Sequence, residues 1–230
     1  MTSAAPYIGI FGGCFNPPHL GHMRLAVEIL ETMRPCRLDF LPCAVPPHKS
    51  GRSVLPFALR ARMLEEAIAG EEGFRVNRME NERSGPSYTV DTLRVYRARE
   101  PGARFFFIVG AEDFSHIHTW REWRHLPALA DIVVVPRSGS GMELFTDTAR
   151  RCWPEAIEDL SCPGPADSAY IFPDSPGSGR LLHVPLPRLD MRAEYIRERF
   201  RSGRSIRFLV PACVDRLLRE NPEAARCWDE

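Results

Sequence analysis

The chain alternates short apolar runs with segments of helical period. Tyr7-Ile8-Gly9-Ile10-Phe11, Arg37-Leu38-Asp39-Phe40-Leu41, Arg104-Phe105-Phe106-Phe107-Ile108-Val109 and Asp131-Ile132-Val133-Val134-Val135 read as strands. The last two are nearly continuous apolar runs, as expected for strands covered on both faces. Phe74-Arg75-Val76-Asn77 and Leu181-Leu182-His183-Val184 are shorter candidates. Met23 to Leu30, Pro56 to Ile68, Thr89 to Arg99, Ala193 to Arg201 and Pro211 to Glu220 read as helices. Pro56 suits a first helical turn, Ser87 or Thr89 an N-cap, and Gly203 a helix stop. Repeated β–α alternation predicts an α/β fold. It would have a Rossmann-like parallel sheet flanked by helices, and a small helical C-terminal region.

Residues 138–180 break this rhythm. They hold Pro163-Gly164-Pro165 and Pro173-Asp174-Ser175-Pro176-Gly177-Ser178-Gly179, and only Glu143 to Leu160 could carry helix. The expectation is an insertion in a single domain spanning 1–230, partly mobile, and either a surface element or a contact in a homo-oligomer.

Composition mainly excludes. A chain of 230 residues suits one sizeable domain. Thirty basic and thirty acidic residues leave a formal net charge of zero, which argues against an electrostatic nucleic-acid binder. No apolar run approaches the ~18–20 residues that span a membrane. Met1 to Pro6 lack the basic segment and apolar core of a signal peptide. The seven cysteines are odd in number and form no C-x-x-C pair, so they read as reduced thiols in a cytoplasmic protein rather than a metal site.

The chemistry concentrates first in Gly12-Gly13-Cys14-Phe15-Asn16-Pro17-Pro18-His19-Leu20-Gly21-His22. A glycine-rich turn between a strand and a helix lets backbone N–H groups face a phosphate. His19 and His22, spaced H-x-G-H at the helix entrance, can reach one anion, and Gly21 keeps the backbone open there. The plainer alternative is a pair of helix-capping surface histidines.

This stretch resembles the H-x-G-H signature of the nucleotidyltransferase α/β phosphodiesterase superfamily. Further segments follow in order: Pro46-Pro47-His48-Lys49, Ser87-Tyr88-Thr89-Val90-Asp91-Thr92-Leu93, Phe107-Ile108-Val109-Gly110-Ala111-Glu112-Asp113 and Thr119-Trp120-Arg121-Glu122-Trp123. The ordered set is similar to the bacterial nicotinate-nucleotide adenylyltransferases, over most of 7–137 and again over 190–214. Each segment falls at a strand end or helix start, where open α/β sheets bind ligands.

The resemblance implies adenylyl transfer from ATP, with Mg²⁺, to nicotinate mononucleotide in NAD synthesis. It implies that His19, His22 and Lys49 serve the transfer. Gly12, Gly13, Cys14, Phe15, Gly21, Gly110, Asp113, Arg192 and Arg197 would join the two histidines around ATP. Lys49, Ser87, Tyr88, Thr89 and Trp120 would face the mononucleotide. Tyr88 reads equally well as packing, Trp123 reads as packing, and Lys49 could be an ordinary solvated lysine. Asp91 reads as a helix-start carboxylate.

Three departures stand out. Cys14 and Asn16 replace the usual hydroxyl residue and aspartate of G-G-[ST]-F-D-P. Met191-Arg192-Ala193-Glu194 stands where the family carries I-S-S-T, with Arg197 retained and Arg192 as a substitute cation. The segment 138–180 is the third. Two alternatives stay open: a sister adenylyltransferase acting on nicotinamide mononucleotide or pantetheine phosphate, and a nucleotide binder that has lost transfer activity.

Overall fold

The computed structural model describes residues 5–47, 53–136, 141–161, 164–175, 177–187 and 189–228. The strands are β1 (Tyr7–Gly13), β2 (Arg37–Pro42), β3 (Phe74–Val76), β4 (Arg104–Gly110), β5 (Asp131–Val135), β6 (Ile157–Glu158), β7 (Ser168–Ile171) and β8 (Leu181–His183). They form one sheet in the order β3-β2-β1-β4-β5-β8-β7-β6. β1 pairs β4, β4 pairs β5 and β5 pairs β8, all parallel; β7 is antiparallel to β8 and β6 to β7. The helices are α1 (Leu20–Met33), α2 (Phe57–Ala67), α3 (Thr89–Arg99), α4 (Ala111–Ser115), α5 (Leu126–Leu129), α6 (Gly141–Cys152), α7 (Ala193–Arg201), α8 (Ala212–Glu220) and α9 (Pro222–Ala225). The expected α/β architecture with a mostly parallel sheet is the observed one.

The chain divides into two compact units. One comprises Met1–Phe11, Glu28–Leu38 and Tyr88–Pro187; the other comprises Gly12–Val27, Asp39–Ser87 and Arg188–Glu230. In the first unit Ile8, Ile10, Phe106, Ile132, Val133 and Val134 lose all solvent exposure. Side chains of that kind on central parallel strands supply the main hydrophobic drive. Gly9 is required by space: a Cβ there would lie 2.5 Å from Leu38 Cδ1 and 2.6 Å from the Phe106 ring. Buried Asp131 accepts hydrogen bonds from the Tyr7 hydroxyl at 2.6 Å and the Arg180 N–H at 2.7 Å, which satisfies its charge in the core.

In the segment read as an insertion, the described residues carry α6, largely within the Glu143 to Leu160 stretch that could hold helix, and the short strands β6 and β7. α6 buries Phe145 and Ala149, and Trp153 follows, also buried. The Phe114 ring stacks on Phe145 at 5.7 Å and on Trp153 at 6.1 Å. β6 and β7 add an antiparallel edge beyond β8.

In the second unit α2, α7 and α8 bury Met63, Ile196, Val214 and Leu217 together with Leu55, Ile206, Val210 and Trp228. Local boundaries differ from the pattern in places. β1 continues through Gly12 and Gly13, and α1 begins at Leu20, inside the histidine motif. The N-cap of α3 is Tyr88, in extended backbone without a side-chain cap, and not Ser87 or Thr89. α4, α5 and α9 are too short to leave a periodic signature.

Candidate active site

Gly12 and Gly13 end β1 as strand residues, so the turn itself is Cys14-Phe15-Asn16. Phe15 takes the left-handed conformation, with φ 46°, and the Asn16–Pro17 peptide is cis. A Cβ on Gly13 would sit 3.1 Å from the Phe15 ring, so this glycine makes room for the buried phenylalanine. One buried cation braces the turn. Arg60, 1% exposed, donates from Nη1 to Cys14 O at 2.7 Å, from Nη2 to Cys43 O at 2.8 Å and from Nε to Leu55 O at 2.8 Å. The Cys43 N–H donates to Gly13 O at 2.9 Å. Burial pulls the Arg60 pKa down, against the nearby Cys14, Cys43 and Glu80. Burial, then the Glu80 carboxylate, pushes the Cys43 thiol up to about 12, so it stays neutral. Arg60 was not among the sequence candidates. The signal was there: it precedes Met63 and Leu64 by three and four positions, on the helix face that is buried.

The two histidines come together. Their rings stack with centroids 3.6 Å apart and planes 21° apart. The His19 N–H donates to His22 Nδ1 at 3.2 Å. A ring nitrogen that accepts carries no hydrogen, so neutral His22 holds its proton on Nε2, which is then a donor. The capping reading and the phosphate reading therefore use opposite edges of one ring. Phe15 meets His22 edge-on at 4.9 Å. Gly21 admits the His19 ring: a Cβ there would lie 3.0 Å from His19 Nδ1 and 3.3 Å from Leu189 O. The Leu20 N–H at the start of α1 donates to Leu209 O at 3.0 Å.

Asn16, 4% exposed, turns its side-chain amide to Ser53, Leu55 and Trp228. Its Nδ2 donates to Ser53 O at 2.8 Å, and its Oδ1 accepts from Leu55 N at 3.0 Å and Trp228 Nε1 at 3.2 Å. Arg197 Nη1 donates to the Asn16 carbonyl oxygen at 3.0 Å. Arg192 is exposed and occupies the N-cap of α7 with extended backbone. Glu194, also exposed, lies in the first turn of α7.

Ser87 is buried and its hydroxyl oxygen accepts from Ala44 N and Val45 N, each at 3.2 Å, while its own N–H donates to Val45 O at 2.9 Å. It anchors the loop that follows β2. His48 and Lys49 lie outside the described residues.

In the other unit, Tyr88 and the half-buried Thr89 open α3, and the Arg121 guanidinium lies 4.9 Å over the Tyr88 ring. Asp91 pairs with Arg94 at 3.5 Å and Arg121 at 4.0 Å, a structural use of that carboxylate. Gly110 ends β4 and caps α4, and the exposed Asp113 brings Oδ2 to within 3.6 Å of where a Gly110 Cβ would be. Half-buried Trp120 meets Phe107 edge-on at 6.2 Å. Trp123 packs edge-on against Trp153 at 5.1 Å. Among the described residues, no three or more His, Cys, Asp or Glu side chains are grouped to hold a metal ion, and no helix is long and apolar enough to cross a membrane.

Comparison with known proteins bears on this geometry. The cytidylyltransferase-like family matches residues 10–199. A protein of Marinobacter nauticus named "probable nicotinate-nucleotide adenylyltransferase" is 38% identical over 211 residues, 91% of this chain and 93% of that one. One of the same name from Geobacter sulfurreducens is 38% identical, covering 92% and 95%. Among solved structures, the Plasmodium falciparum nicotinic acid mononucleotide adenylyltransferase complexed with NaAD superposes with a TM-score of 0.67. It is 16% identical, with 94% of this chain and 96% of that chain covered.

Proposed function

The chain belongs to the cytidylyltransferase-like family and, within it, to the nicotinate-nucleotide adenylyltransferases, and from that premise we propose how its residues divide the work. The enzyme transfers adenylyl from ATP to nicotinate mononucleotide, giving nicotinate adenine dinucleotide and pyrophosphate in NAD biosynthesis. A phosphate oxygen of the mononucleotide forms a bond to the α-phosphorus of ATP. The bond from that phosphorus to the bridging oxygen breaks, and pyrophosphate leaves with the electron pair. The attacking oxygen is ionised at neutral pH, so no general base is needed. The work is alignment of two anions and stabilisation of growing charge.

The observation that carries the assignment of residues is the stacked His19–His22 pair beside the braced turn. His22 donates from Nε2 to a phosphate oxygen of ATP, and His19 lies against it. The backbone of Gly12, Gly13, Cys14 and Phe15 lines the α-phosphate, with Gly21 leaving room for the His19 ring. Gly110 and Asp113 meet the ATP ribose. Arg192 takes the β- and γ-phosphates at the start of α7, where helical N–H groups already favour anions. Arg197 acts by fixing the Asn16 carbonyl. Lys49 reaches the phosphates from its loop, and Ser87 holds that loop. Trp120 stacks on the pyridine ring, with N–H groups at Tyr88 and Thr89 facing its carboxylate. Mg²⁺ accompanying ATP as part of the substrate would supply charge neutralisation for the leaving pyrophosphate. The setting is cytoplasmic, in keeping with free thiols, among the described residues, at Cys14, Cys36, Cys43, Cys152, Cys213 and Cys227.

The test is His22→Ala. Loss of a transition-state donor lowers kcat by about 10²-fold or more, with the thermal midpoint nearly unchanged because His22 is only half-buried. A variant of full activity, or one that does not fold, contradicts the assignment.

A further inference from the structure

The departure at Asn16 leads to the far end of the chain. Trp228 lies in the 3₁₀ turn Arg226–Trp228 that follows α9, and it is 5% exposed. Its ring meets Phe200 edge-on at 5.9 Å and joins the apolar cluster of Leu55, Met63 and Leu217. Its indole N–H does something a purely apolar ring could not: it donates to Asn16 Oδ1 at 3.2 Å. With Leu55 N as the second donor, both acceptor positions of that oxygen are filled. The amide nitrogen then donates to Ser53 O at 2.8 Å.

This pattern explains why asparagine stands here. An aspartate would still accept from Leu55 and Trp228. It would set a buried charge against the Ser53 carbonyl oxygen and lose the donation. Ser53 follows Lys49 by four positions in sequence. The same amide therefore ties Ser53 and Leu55 to the turn after β1, and Trp228 holds the amide.

We propose that Trp228 is a positioning residue for adenylyl transfer, its indole N–H fixing the Asn16 amide that sets the Cys14-Phe15-Asn16 turn. The proposal rests on the assignment of that turn to the ATP phosphates. It makes the 3₁₀ turn Arg226–Trp228 part of the phosphate-binding apparatus, although Trp228 touches no reacting atom.

The test is Trp228→Phe, which keeps an aromatic ring in the cluster and removes the N–H. Loss of one buried hydrogen bond lowers kcat by about three- to tenfold, with KM for nicotinate mononucleotide unchanged. Asn16→Ala lowers kcat further, and adding Trp228→Phe to it costs nothing more, because the two act through one bond. Independent losses that multiply in the double variant, or a Trp228→Phe enzyme with wild-type kcat, overturn the proposal. A readout that needs no turnover uses the wild-type protein labelled with ¹⁵N-tryptophan. The Trp228 indole resonance must shift when a non-hydrolysable ATP analogue binds; an unmoved resonance in the bound protein also overturns it. A wild-type enzyme that binds the analogue yet releases no pyrophosphate would remove the functional assignment and leave the resonance test of the latch standing.

Discussion

Arg60 shows how one side chain can set the geometry of a site it does not enter. A guanidinium has five donors in a rigid fork, and three backbone carbonyls from separate stretches each take one. Arg60→Met fills the space but leaves buried carbonyls without a charged donor. Each costs roughly 1–3 kcal/mol, so the thermal midpoint falls by at least about 5 °C and ATP affinity falls with it. Thermal unfolding with and without the nucleotide checks both, and an unshifted midpoint refutes the bracing role. The histidine motif was legible in sequence because its residues are contiguous. Arg60 was harder to see, because its partners Cys14, Cys43 and Leu55 meet only in the fold.

At the scale of elements, α7 separates two arginines that sequence had joined. The sequence sets both around ATP, with Arg197 retained and Arg192 as a substitute cation where I-S-S-T is lost. Arg197 commits one nitrogen to Asn16 O, whereas the exposed Arg192 sits at the helix start. The two substitutions should therefore part. Arg192→Ala raises KM for ATP about tenfold, the effect of a lost charged hydrogen bond, and leaves the thermal midpoint alone. Arg197→Ala lowers the midpoint and raises KM together. Identical behaviour of the two variants contradicts this division. Long periodic segments such as Ala193–Arg201 were read from pattern with their observed bounds. Within 138–180 the helix α6 was legible in the stretch Glu143 to Leu160, whereas β6 and β7 were not, because turn residues surround them. The described residues there pack through Phe145, Trp153 and Tyr170, contacts that no local pattern records.

For the molecule as a whole, strand order and the position of the motifs matter more than any one contact. The parallel strand β4 ends at Gly110, recognisable as a break after an apolar run, whereas β1 runs two residues past the break after Phe11, to Gly13. Parallel strands buried on both faces are the part of a fold that sequence declares most plainly. The site is less legible: only the fold shows that the Ser87 hydroxyl oxygen accepts from Ala44 and Val45, partners far from it in sequence. The account's central claim is transfer to the acid form of the mononucleotide, with Trp120 stacking on its ring and the start of α3 facing its carboxylate. The most direct measurement is pyrophosphate release with ATP and Mg²⁺, offering nicotinate mononucleotide, nicotinamide mononucleotide and pantetheine phosphate in parallel. The account predicts a kcat/KM for the acid at least about tenfold above the amide, the effect of one charged hydrogen bond, and no turnover of pantetheine phosphate. Equal values for acid and amide, or a preference for the amide, would contradict it.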